Sequence, residues 1–140
     1  KREAVRFKSV TGRLTTVKNS SKDLINWNKK SRSKFQTSVK KFLKTVWRHD
    51  LVYEEFPMAG SKLRFDFYNQ TLGVVVEANG PQHSQFHPFF HKKNRLMYLD
   101  QIKRDKTKKN FCEINSISMV ECDYEDDIST TLSKKLDIKV

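Results

Sequence analysis

Five carboxylates in the middle of the chain could do chemistry: Glu54, Glu55, Asp66, Glu77 and Asp105. Asp66 and Glu77 lie in "RFDFYNQTLGVVVEANGPQH" (64–83), a run that is otherwise apolar or turn-like, and Glu77 follows three consecutive valines. A carboxylate at the end of a strand that reads as buried must be paired, protonated or bound to a metal, because an unpaired buried charge is expensive. With Gln70 and Thr71 as a two-residue loop, 62–69 and 72–78 form an antiparallel hairpin. Asn69 then pairs with Leu72, and Asp66 lies opposite Val75. Period-two alternation puts Val75, Glu77 and Asn79 on one face and makes Asp66 and Glu77 diagonal neighbours there. Phe65, Phe67, Val74 and Val76 take the other face. Two carboxylates this close repel unless a cation or proton lies between them. Mg²⁺ is a hard, oxygen-seeking ion, usually held by one or two carboxylates, waters and substrate phosphate. In phosphodiester hydrolysis it orients water and neutralises developing charge. The plainer alternative is a structural acid pair bonded to Lys62 or Arg64, or one acid facing solvent.

The elements that must position these acids can be read from spacing. Phe35, Val39, Phe42, Leu43 and Val46 recur at helical intervals, so 33–49 is an amphipathic helix with Ser31 or Ser33 as its cap. Its other face carries Lys34, Lys40, Lys41, Lys44 and Arg48. Strands are expected at 51–58, 62–68, 72–78 and 116–122. A long helix from about 89 to 111 should turn Leu96, Leu99 and Ile102 toward the core, and a closing helix spans 124–137. The order is α-β-β-β-α-β-α, an α/β fold with a mixed β-sheet flanked by helices. His83, His87 and His91 are four apart, but Pro88 interrupts the run and no Cys is near in sequence, so structural zinc is disfavoured. Phe86, Phe89 and Phe90 beside them suit core packing better than base stacking.

The chain has 140 residues, enough for one domain with a core, and carries a formal net charge of +12. Residues 1–48 contribute +13 and the rest −1, so the basic excess is an N-terminal property. A phosphate backbone is the natural partner for such a segment. Residues 1–30 read as a basic arm or linker with weak structure, anchored at Leu24, Ile25 and Trp27; 31–140 form the folded domain. Cys112 and Cys122 sit among apolar residues and are expected to be buried free thiols. No apolar run approaches the ~20 residues that span a bilayer. The start, lacking Met and any signal-like apolar segment, suggests a domain cut from a longer chain. A cytoplasmic place, in a bacterial or phage-infected cell, is expected.

An Asp on the second strand, Glu-x-Asn on the third and "GPQH" after it resemble the PD-(D/E)XK nuclease superfamily, with its restriction-endonuclease-like core. The pattern is most similar to the Vsr-like branch, which includes the EDxHD homing endonucleases. The resemblance covers about residues 50–122. It implies a site in which Glu55, two residues before Pro57, is the early acid, with Glu54 its rival. Asp66 is the strand acid, His83 the histidine past the third strand, and Asp105 the late acid, with Lys108 and Cys112 at helical steps behind it. Two positions depart from the wider pattern: Phe65 stands where Pro is usual, and Asn79 where Lys is usual. Lys106 and Lys108 are candidates for a relocated cation.

The implied metal is Mg²⁺, with Mn²⁺ as a substitute, held by Asp66, Glu77 and the carbonyl of Ala78. His83 would act as general acid or base, and Asp105 would bind metal or orient His83. Gln82, Lys106 and Lys108 join Lys34, Lys40, Lys41 and Lys44 as expected DNA contacts. The expected activity is Mg²⁺-dependent cleavage of double-stranded DNA to 5′-phosphate and 3′-hydroxyl ends. The expected protein is the catalytic domain of a site-specific homing-type endonuclease. Upstream sequence would supply target recognition, and a homodimer on DNA would be one way to cut both strands. The alternatives are a Vsr-like mismatch nickase, or a non-catalytic nucleic-acid-binding domain on a nuclease fold.

Overall fold

The computed structural model describes residues 5–9, 13–17, 20–80 and 95–138. Its centre is a four-stranded sheet of β3 (Val52–Pro57), β4 (Arg64–Asn69), β5 (Val74–Asn79) and β6 (Ser118–Asp123), in that spatial order. The first three run antiparallel, while β6 lies parallel to β5. That parallel step requires a crossover, which includes α2 (Arg95–Ile114). The remaining helices are α1 (Lys34–Trp47) and α3 (Ile128–Lys135). The chain is thus α/β, a mixed sheet flanked by helices.

Both sheet faces are covered. On one, Val39, Leu43 and Trp47 of α1 and Leu132 of α3 pack on Val52, Phe67, Val76, Val120 and Cys122. On the other, Phe111 and Cys112 of α2 pack with Tyr53, Phe56, Phe65, Tyr68 and Val75. Helix α1 starts where expected, because Ser33 caps it: its Oγ accepts from the Gln36 N–H at 3.0 Å. Ser31, the other cap candidate, donates its hydroxyl to Glu54 instead. Asp127 caps α3 in the same way, accepting from the Thr130 N–H. Cys112 and Cys122 are both free and buried, and burial pushes their thiols up to about 12 and about 11.

Four expectations need correction. First, the segment before α1 is not structureless. Strands β1 (Val5–Lys8) and β2 (Leu14–Val17) form a hairpin, and Phe7 is buried against Phe56, Tyr68 and Phe111. A 3-10 turn, Ser20–Asp23, follows, and Leu24 and Ile25 then join the β3 edge through a bridge to Tyr53 and a bond to the Val52 carbonyl. Second, the β4–β5 loop has four residues, not two. Asn69 pairs with Val74 and Tyr68 with Val75. Asn69 closes the loop by accepting from the N–H groups of Leu72 and Gly73, with Gly73 at φ +68°. A slip of two residues preserves the alternation of β5 against β4, so the acids stay together.

Third, Phe65 and Phe67 do not share a cluster. Glu55 has φ +54°, and this left-handed residue interrupts the β3–β4 ladder between the pairs Glu54↔Phe67 and Phe56↔Phe65. Phe67 packs under α1 and Phe65 under α2. Fourth, Leu96, Leu99 and Ile102 are exposed, Leu96 by 81%. A 20-residue helix is ~30 Å long, whereas six-residue strands span ~20 Å. The buried residues of α2, Phe111 and Cys112, lie near its C-terminal end.

Candidate functional site

The strand registers bring one acid from each strand to adjoining positions. Glu55 in β3 sits between the two ladder pairs that flank Asp66 in β4. The β4–β5 ladder ends at Phe67↔Val76, and Asp66 and Glu77 stand one step beyond that last pair, joined through side-chain-to-backbone bonds. Glu77 pairs in turn with Glu121 of β6. Glu55, Asp66, Glu77 and Glu121 therefore form a row across the sheet. Glu121 was missed in the sequence; the signal was a carboxylate inside the apolar run "SMVEC".

The two central acids lock each other through the backbone. Glu77 Oε2 accepts from the Asp66 N–H at 2.8 Å, and Asp66 Oδ2 accepts from the Ala78 N–H at 2.8 Å. Glu77 is only 3% exposed. Its other oxygen, Oε1, receives Lys108 Nζ at 2.6 Å. Lys108 comes from the buried end of α2 and lies over the Phe65 ring. Of the two lysines singled out in the sequence, Lys108 meets the acid pair, while Lys106 is exposed. Neither Lys62 nor Arg64 pairs with these acids; Arg64 donates to the Glu55 carbonyl at 2.7 Å.

The charges are unevenly compensated. Lys108 faces Glu77, Lys109 lies 3.5 Å from Glu121, and Arg32 lies 3.7 Å from Glu55. Among the described residues Asp66 stands in no ion pair. Burial and the neighbouring Glu77 charge push its carboxyl up to about 7. Burial likewise raises Glu77, against the opposing pull of Lys108. Asp105 on α2 stands close enough to add to the negative field at Glu77.

Glu54 and Glu55 have separate tasks. Glu54 faces α1, where it receives Lys40 Nζ at 2.8 Å, the Ser31 hydroxyl and Gln36 Nε2 at 3.1 Å. Glu55 receives the second bond from Gln36 Nε2, also at 3.1 Å, and stands beside Asp66 in register. Its left-handed backbone carries a strain of about 1–3 kcal/mol. Glu54 is thus an anchor for α1, and Glu55 is the β3 acid that stands in register with Asp66. The assignment of Lys40 to DNA is corrected by the same contacts. Lys40 is 2% exposed and donates to Glu54 and the Lys29 carbonyl. Lys34, Lys41 and Lys44 are exposed on α1.

Asn79 does not face the acid pair with its amide. Its Nδ2 donates to Glu121 Oε1 and Asp123 Oδ1, both at 2.9 Å. Gln82, His83, His87, His91 and Phe86, Phe89 and Phe90 lie outside the described residues.

Among the described residues no three His, Cys, Asp or Glu side chains converge as a metal cluster. The donor chemistry at Asp66 and Glu77 still suits a hard cation. Two carboxylates adjoin, Asp66 stands in no ion pair among the described residues, and Mg²⁺ commonly draws its other ligands from water and phosphate.

Three viral proteins are similar in sequence. Uncharacterized protein 033L of Invertebrate iridescent virus 3 is 32% identical over 101 residues, 69% of this chain and 52% of its own length. Uncharacterized protein 307L of Invertebrate iridescent virus 6 is 40% identical over 75 residues, 53% of this chain and 38% of its own. Uncharacterized protein 094L of Frog virus 3 is 33% identical over 68 residues, 49% of this chain and 44% of its own. The chain thus spans about half or less of the length of the curated relatives it matches. No family model matches it, and no solved structure does. No helix among the described residues is long and apolar enough to cross a membrane.

Proposed function

We propose that this chain is a metal-dependent DNA endonuclease domain with a PD-(D/E)XK-type core of the Vsr-like, EDxHD kind. The observation that carries the reading is the Asp66–Glu77 pair with Lys108 seated on Glu77. Two adjoining carboxylates, Glu77 buried and Asp66 partly so, and one lysine from the following helix are the charges that phosphodiester cleavage uses. They stand here although Asn79 occupies the usual lysine position.

Asp66 and Glu77 would hold Mg²⁺ or Mn²⁺, with the Ala78 carbonyl as a backbone donor. When bound, such an ion would supply neutralisation of the phosphate charge and a lowered pKa for the attacking water. Lys108 favours the ionised form of Glu77 against the cost of its burial and places positive charge beside the phosphate. Glu55 and Asp105 shape the field around Asp66 and Glu77. His83 moves the proton of the attacking water or of the leaving oxygen. Lys34, Lys41 and Lys44 present a basic face to the DNA backbone. Site-specific double-strand cutting, of the homing type, is the favoured form. Most target recognition then falls to sequence outside this chain.

A second reading has one observation in its favour. Both oxygens of Glu77 are already engaged, by Lys108 and by the Asp66 N–H. A binding domain with a silent site would look the same. Supercoiled plasmid incubated with the chain in Mg²⁺ or EDTA, beside Asp66→Ala and His83→Ala, separates the two. Nicking or linearisation that needs the metal and disappears in both variants supports the nuclease. Salt-sensitive binding with no cleavage by any of them moves the assignment to the binding domain.

A further inference from the structure

Among the described residues three non-glycine residues have left-handed backbone, and Glu55 is the one inside a strand. Two groups from different elements hold it there. Gln36, 3% exposed on the first turn of α1, donates from Nε2 to both Glu54 and Glu55. Two carboxylate acceptors fix the amide with its NH₂ toward them, one N–H to each acid. The Ser33 cap fixes the Gln36 backbone in turn. From the other side, Arg64 Nη1 donates to the Glu55 carbonyl at 2.7 Å and lies 4.0 Å from Asp23. A non-glycine residue relaxes to ordinary strand geometry unless its surroundings prevent it. Such relaxation would turn the Glu55 side chain away from its present place, since successive strand side chains alternate in direction.

We propose that Gln36 and Arg64 clamp Glu55 in its left-handed conformation and so keep its carboxylate beside Asp66. Gln36 is then a positioning residue for the cleavage site, acting through Glu55. The inference rests on the nuclease reading. The competing account gives Gln36 a structural task alone, satisfying the buried Glu54.

A double-mutant cycle on the full 140-residue chain separates the two accounts. Gln36→Leu and Arg64→Ala are made alone and combined with Glu55→Gln. Three quantities are measured: plasmid cleavage in Mg²⁺, calorimetric affinity for Mn²⁺, and the intraresidue amide-to-Hα nuclear Overhauser effect of Glu55, which is strong at positive φ. Each clamp variant is expected to weaken that effect and to lower cleavage and Mn²⁺ affinity about tenfold or more. In the Glu55→Gln background the same changes should alter cleavage and Mn²⁺ affinity less than about twofold, because coupled residues are not additive. Full additivity, or clamp variants equal to the parent in all three measurements, overturns the clamp while leaving an active nuclease. A parent chain that neither binds Mn²⁺ nor cuts overturns the nuclease reading and the clamp's role with it. If Gln36→Leu fails to fold, Arg64→Ala, at an exposed side chain, carries the same test.

Discussion

Replacing Lys108 with Met should cost more than its partly covered position suggests. Its ammonium lies 2.6 Å from Glu77 Oε1, and the Glu77 side chain is 4% exposed. At an effective dielectric of about 20 the gross attraction at that distance is roughly 6 kcal/mol. Desolvation of the pair offsets part of it, but removing one partner leaves a buried carboxylate uncompensated, typically a loss of about 3–5 kcal/mol. For a chain of this size that lowers Tm by roughly 10–15 °C. The loss should depend on pH in a defined sense. Without Lys108 the folded-state pKa of Glu77 rises further above its unfolded value. A group shifted that way contributes stability below its unfolded pKa and loses it as pH rises through the folded pKa. Lys108→Met should therefore lose more stability against the parent at pH 8 than at pH 5. Adding Glu77→Gln should restore much of the loss at pH 8, because the buried charge is then gone. Urea unfolding at both pH values measures all of this. A Lys108→Met variant within about 1 kcal/mol of the parent at pH 8 would refute the reasoning.

Other outcomes follow from the same geometry. Asp66, with its carboxyl at about 7 in the folded chain, contributes stability that is full below pH ~4 and lost as pH rises through 7. Metal-free parent should gain up to about 4 kcal/mol over Asp66→Asn on acidification from pH 8 to 4, at 1.36 kcal/mol per pH unit; parallel stability curves would count against it. Lys40→Met should destabilise by about 3–5 kcal/mol and leave the salt dependence of DNA binding unchanged. The triple change Lys34→Ala, Lys41→Ala and Lys44→Ala should spare stability and flatten the salt slope by about 0.9 for each phosphate no longer neutralised. Filter binding across a salt series reads both. Ser33→Ala should cost about 1 kcal/mol by uncapping α1, measured by thermal melting.

Much of this architecture is written in local pattern. The Ser33 cap, the Val39–Leu43 stripe of α1 and the Val74–Val76 run each point to one element without tertiary knowledge. The face shared by Asp66 and Glu77 survived a wrong loop length because a slip of two preserves alternation. What was not legible depended on distant partners. Nothing in "VKKFLK" distinguishes Lys40 from Lys41, yet Lys40 meets Glu54 from another element and is buried. The hairpin around Phe7 is short and basic, and only the aromatic cluster it joins makes its burial favourable. Helix α2 reads as amphipathic near Leu96 because its pattern says nothing of where the sheet stops. Glu121 became part of the acid row only through the parallel β5–β6 register, which no local signal encodes.

The most direct measurement is single-turnover cleavage of an end-labelled DNA duplex by metal-stripped chain, with Mg²⁺ added last. Parent and Asp66→Asn are compared at equal DNA occupancy. The expected result is strand scission with a 5′-phosphate by the parent alone, starting when Mg²⁺ is added and stopped by EDTA. Equal cutting by Asp66→Asn, or an intact duplex under a fully bound parent, would contradict the assignment of the Asp66–Glu77 pair as a nuclease centre.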